Sequence, residues 1–109
     1  VAESIEKNAL TEAVFYILLS LYSPMHGYGI MQNVKGLSRD RVNLGPGTLY
    51  GAINTLLEKN WIQSIEGEKE SRKKEYQITS LGKTVVQYEI ERLEELLTNG
   101  KEIAGGKTV

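Results

Sequence analysis

LGPGTLYGAINTLLEKNWI, residues 44–62, decides how this chain is read. Gly45-Pro46-Gly47-Thr48 is a helix start, because proline at the first helical position gives up no N–H that the helix would use. Leu49, Ile53 and Leu56 then recur at helical spacing and make one face apolar. The opposite face is nearly bare: Gly47, Gly51 and Asn54, flanked by Tyr50 and Thr55. A helix with so little bulk on one side can approach another surface closely. The spacing predicts a helix over Pro46–Asn60.

Downstream, Trp61–Ile65 and Lys73–Thr79 read as strands, with GEKES and its Gly67 near the turn between them. Tyr76 and Ile78 fall on one face and match the apolar residues of WIQSI. Such a two-stranded ribbon needs helices packed against it. Upstream, Ser38–Leu44 is a polar loop carrying Arg39 and Arg41, and His26–Leu37 is a short helix with Ile30 and Val34 on one face. Thr11–Leu21 is a helix with Thr11 as its N-cap and Ser23-Pro24 as its stop. It is apolar almost all round, which implies burial at a subunit interface as well as in the core.

The last helix starts near Ser80 and runs to about Gly100. Val86, Ile90, Leu93 and Leu97 form one apolar stripe, and Leu81, Val85, Tyr88 and Leu96 form a second beside it. Two stripes are too many for one small partner. One is expected to cover the domain and the other to meet a second subunit. Glu89, Glu91, Glu94 and Glu95 are expected to form the wet face, and the tail from Glu102 to fray. The fold class is mainly α with a small two-stranded β wing. Residues 1–79 form one functional unit and 80–109 the other.

A chain of 109 residues, 40 % of them hydrophobic, supports a small core but not a core plus an enzyme cavity. It holds no cysteine, hence no disulfide framework and no thiolate metal site. The N-terminus does not read as a signal peptide, and Ala13–Leu21 is far shorter than the ~20 residues of a membrane span. A soluble, cytoplasmic protein with no membrane partner and no cofactor is expected. The net charge of −1 is unevenly spread. Residues 25–79 carry eight basic and six acidic groups, whereas both flanks are acidic. Local field matters more than the sum.

A helix read in this way suits the groove of double-stranded DNA. Thr48 can bond a phosphate or touch a thymine methyl, Tyr50 can reach a phosphate, and Asn54 can bond an adenine edge. The amides around Gly47 and Thr48 can hold a phosphate without a charged side chain. The plainer alternative makes Thr48 a cap, Tyr50 a shield for the core edge and Asn54 a solvated side chain. The helix carries one cation, Lys59, at its far end, so neutralisation falls to Arg72, Lys73 and Lys74 in the wing. Glu66, Glu68 and Glu70 interleave there, and a merely solvated hairpin is the other reading. His26 is the sole histidine and has no partner at metal-ligand spacing, which favours a cap or turn role. Trp61 sits where helix meets ribbon. It either closes that seam or walls a flat ligand site. No constellation of catalytic groups is present, so the chain is not read as an enzyme.

LTEAVFYILLSL, HGYGI, GTLYGAINTLLEKNWI, RKKEYQIT and TSLGK follow one another in this order. With that order and spacing the chain resembles the PadR-like transcriptional regulators, from Leu10 to about Leu97. The resemblance implies a winged helix-turn-helix with a C-terminal dimerisation helix. It implies a homodimer that binds a roughly palindromic operator and usually represses. It places the DNA contacts on Thr48, Tyr50 and the basic wing residues Arg72, Lys73 and Lys74. Some members respond to phenolic acids and others to flat hydrophobic drugs at the dimer interface. The single C-terminal helix resembles the short branch of the family, whose drug-binding members carry a tryptophan there. This chain has none, and Phe15 and Tyr88 are the nearest aromatics.

The sequence thus leads to a dimeric DNA-binding regulator with DNA contacts at Gly47, Thr48, Tyr50, Asn54, Arg72, Lys73 and Lys74. Its expected dimer contacts are Phe15, Val86, Tyr88, Ile90, Leu93 and Leu97. A small hydrophobic or phenolic effector is the expected ligand. The rival is a winged-helix module that binds protein instead of DNA.

Overall fold

The computed structural model describes residues 8–65 and 74–105. Chain order is α1 (Glu12–Ser20), β1 (Met25–His26), α2 (Gly27–Leu37), α3 (Pro46–Glu58), β2 (Ile62–Ile65), β3 (Glu75–Ile78) and α4 (Ser80–Ala104). Three of the four helix starts carry a side-chain cap, and α3 begins on Pro46 instead. The Thr11 hydroxyl accepts from the Val14 amide, His26 Nδ1 accepts from the Gly29 amide at 3.2 Å, and the Thr79 hydroxyl accepts from the Gly82 amide at 3.0 Å. His26 is therefore a helix cap.

The core is built from helical repeats meeting a small sheet. Ile17, Leu18 and Leu21 from α1 and its C-cap, Ile30 and Val34 of α2, and Leu49, Ile53 and Leu56 of α3 are all buried. Trp61, Ile62, Tyr76, Ile78, Val85 and Val86 complete the cluster. Removing this apolar surface from water is the main favourable contribution to the fold. Tyr76 and Ile78 do share the buried face of β3, as their alternation predicts.

The expected β2–β3 ribbon forms, and a third strand joins it. β3 lies between β1 and β2 in an antiparallel sheet of order β1-β3-β2, with Met25 opposite Tyr76 and Ile62 opposite Ile78. A two-residue strand is too short to show a sequence period, which is why β1 escapes a reading by pattern. The remainder of the hairpin, with Gly67, Arg72 and Lys73, lies outside the described residues.

The turn into α3 depends on Ser38, which is fully buried. Its hydroxyl donates to the Lys35 carbonyl and accepts from the Val42 amide at 2.9 Å, so the buried polar group is satisfied. Arg39 and Asp40 take left-handed backbone angles, φ 54° and 68°. Arg41 is paired with Glu12 across the surface.

Two expectations for the last helix need correction. α4 does not fray from Glu102: it runs 25 residues to Ala104 and is closed by Gly105 in the left-handed conformation. Glu89 is not on a wet face: it is only 5 % exposed. Arg92 donates to both of its carboxylate oxygens, at 2.9 and 2.7 Å, and the Leu10 amide donates at 3.4 Å. The Arg92 hydrogen bonds hold the Glu89 carboxyl below its ordinary range against the opposing effect of burial, with the Leu10 amide adding to the lowering.

α4 divides in two. Val85, Val86 and Glu89 pack into the domain, whereas every residue from Leu93 to Gly105 is exposed. A helix of this length spans about 37 Å, so its second half stands clear of the core.

Candidate nucleic-acid interface

α3 presents a buried edge and an open one. Leu49 and Ile53 are fully buried, while Gly47, Thr48, Tyr50, Gly51, Asn54 and Thr55 are exposed. The N-cap, Gly45, offers no side-chain hydrogen bond to the first amides. Among the described residues nothing requires this bareness. A Cβ placed at Gly45, Gly47 or Gly51 would meet no atom within 4 Å. A glycine inside a helix costs roughly 0.5–1 kcal/mol relative to alanine. Gly51 thus carries that cost with no packing reason among the described residues.

Tyr50 is the exception to the flat surface. Its side chain is 43 % exposed, yet its hydroxyl lies against the backbone of Gly27 at the start of α2. It also faces Tyr76, whose phenol is held above its ordinary range first by burial and then by the neighbouring Tyr50. Tyr28, the residue after Gly27, is 61 % exposed. The sequence reading did not single it out. The available signal was an aromatic between two glycines at a helix start, where no bulk surrounds the ring.

The expected cations are distributed less simply. Lys74 is exposed and directly precedes β3. Arg72 and Lys73 lie outside the described residues. Lys59 caps the end of α3 and its ammonium sits 4.9 Å above the Trp61 ring. Trp61 itself is buried in the core, which fits its reading as the closure of the helix–ribbon seam. Among the described residues no group of His, Asp or Glu is placed to hold a metal ion, and no helix is long and apolar enough to cross a membrane.

The residues expected to face a second subunit fall into two sets. Val86 is buried and serves the monomer core, and Phe15, Tyr88 and Ile90 are half-buried. Leu93 and Leu97 are exposed, as are Leu96 of the second stripe and Ile103, which belongs to neither stripe.

The model of the PadR-like family of transcriptional regulators matches residues 15–88, from within α1 into α4. The chain belongs to this family. Solved structures carry the same fold. A transcriptional regulator from Clostridium thermocellum is 23 % identical, with a TM-score of 0.70 over 86 % of this chain and 90 % of that one. A PadR family transcription regulator from Clostridium difficile R20291 is 22 % identical, with a TM-score of 0.68 over 84 % and 98 %. RosR of H. salinarum is 24 % identical, with a TM-score of 0.66 over 86 % and 80 %. No curated protein matches the chain significantly. As in PadR-like relatives, the fold is a winged helix assembly.

Proposed function

We propose that this PadR-like protein is a homodimeric, sequence-specific DNA-binding repressor that acts on a palindromic operator. The observation that carries this reading is the open face of α3, whose glycines answer to no neighbour among the described residues. A face left bare at a cost in helix stability suits a helix that enters the major groove. Gly47 and Thr48 would offer amides and a hydroxyl to a phosphate, Tyr50 would set register and Asn54 would read a base edge. Arg72, Lys73 and Lys74 would neutralise backbone charge.

Residues 1–79 would read DNA and residues 80–109 would pair the two copies. Phe15, Tyr88, Ile90, Leu93 and Leu97 would form the dimer contact, with Val86 supporting it from the core. Pairing of this kind sets the two reading helices about one DNA turn, ~34 Å, apart. A cleft of about 280 Å³ between α1 and α4, with Leu10, Phe15, Tyr16 and Leu93 among its walls, would receive a small hydrophobic or phenolic effector. Tyr88 is not one of its walls. The protein would work in the cytoplasm, where its DNA is.

Selection of bound sequences from random duplex DNA tests the proposal. A palindromic consensus is expected. Failure to enrich any sequence, together with capture of a protein partner through α3, would favour the protein-binding rival. With three wing cations per copy, the log–log salt slope of binding should be no steeper than about −5. A slope near zero would remove the wing from the interface.

A further inference from the structure

Tyr50 cannot lie as it does unless residue 27 lacks a side chain. A Cβ at Gly27 would overlap the Tyr50 hydroxyl and would stand 2.7 Å from its Cζ. Real Cβ atoms do not approach so closely, and the obstacle would be the rigid end of an aromatic ring. Gly27 is the first residue of α2 and is itself buried. Tyr76 of β3, whose phenol Tyr50 helps hold above its ordinary range, is buried and pairs with Met25 of β1. The side chain of Tyr50 thus reaches from α3 onto the first turn of α2. An exposed tyrosine on a free-standing helix would be able to swing among its rotamers. Here the ring is laid down along the domain, with part of its surface still open to a ligand.

We infer that Gly27 is a positioning residue for DNA binding: by leaving room for the Tyr50 hydroxyl on the first turn of α2, it fixes the one pose in which Tyr50 meets the duplex. The inference rests on the DNA-reading role proposed above for Tyr50. It assigns a function to a residue that touches no DNA in that scheme. It also explains why HGYGI and GTLY, far apart in sequence, act as one device: the glycine of the first is the seat for the tyrosine of the second.

The test is a four-member cycle of the wild type, Gly27→Ala, Tyr50→Ala and the double variant. Each is titrated against the duplex selected from random DNA and against an unrelated duplex, and each is melted. Gly27→Ala should weaken the selected duplex about tenfold or more and leave the unrelated duplex nearly unchanged. The double variant should bind no worse than Tyr50→Ala, because the added methyl then enters vacated space. If Gly27→Ala fails to fold, the double variant should recover a cooperative melt, since the nearest obstacle is gone. Losses that simply add, or a Gly27→Ala protein with wild-type discrimination, overturn the inference while leaving the role of Tyr50 intact. If Tyr50→Ala itself loses no discrimination, the underlying role of Tyr50 fails and the inference falls with it.

Discussion

The hydroxyl of Thr79 donates to the carbonyl of Asn60 at 2.7 Å while accepting from the Gly82 amide at 3.0 Å. Asn60 follows α3 with a left-handed turn, φ 63°, and Thr79 begins α4. One side chain therefore caps the helix proposed for dimerisation and ties it to the end of the helix proposed for DNA. The Thr79 amide adds a bond to the Trp61 carbonyl at 2.9 Å. Gly82 lets the first turn of α4 press onto that same carbonyl.

Removing this link should loosen both helices at once. Thr79→Val keeps the shape and loses both hydroxyl bonds, so it should cost about 1–2 kcal/mol in chemical denaturation. Thr79→Ser should retain most of the stability. A Thr79→Val protein as stable as the wild type would show that the link is incidental.

Gly51 should trade stability for binding. Gly51→Ala fills open space on α3 and should stabilise the isolated protein by roughly 0.5–1 kcal/mol. The same methyl should weaken operator binding, read by fluorescence anisotropy. Tighter or unchanged binding would detach the bare face from the DNA.

Acid should act through Glu89. Its folded carboxyl titrates below the unfolded value, near 4.5, chiefly because Arg92 hydrogen-bonds to the charged form. The stability it contributes is complete above the unfolded value and is lost as pH falls through the lower folded value. Glu89→Gln should lower the melting temperature at pH 7 and flatten its decline below about pH 4.5. Superimposable melting curves from pH 7 to pH 3 would show that the buried carboxylate is not stabilising.

The second half of α4 should be the oligomeric switch. Leu93 and Leu97 stand exposed, so Leu93→Asp with Leu97→Asp should leave the monomer fold intact by circular dichroism. Light scattering should report a monomer, and operator affinity should drop sharply with the loss of the second reading helix. A persistent dimer would move the interface elsewhere, with α1 the next surface to probe.

The helices were readable because each writes its core face at three- and four-residue spacing. Leu49, Ile53 and Leu56 needed only the period. The exposed set on α3 followed as the complement of that face. What escaped was tertiary in origin. β1 exists because Met25 meets Tyr76, a pairing with no trace in two residues. Glu89 looked solvated because charge is normally exposed. Its burial depends on Arg92 one turn on and on a backbone amide 79 positions away. The seat of Tyr50 was invisible for the same reason: Gly27 and Tyr50 are neighbours only in space. At 25 residues, α4 outran its apolar stripes, because its final turns carry exposed side chains that leave no burial pattern.

The place of β3 between two strands has a mechanical meaning for the wing. A strand bonded along one edge can slip, and a slip of one residue would turn Tyr76 and Ile78 from the core to the solvent. β3 is gripped along both edges. Lys74, which stands just ahead of it, therefore projects from a fixed mark at a set distance from α3. The wing's base serves as a gauge block, and the spacing between α3 and Lys74 is machined into the sheet.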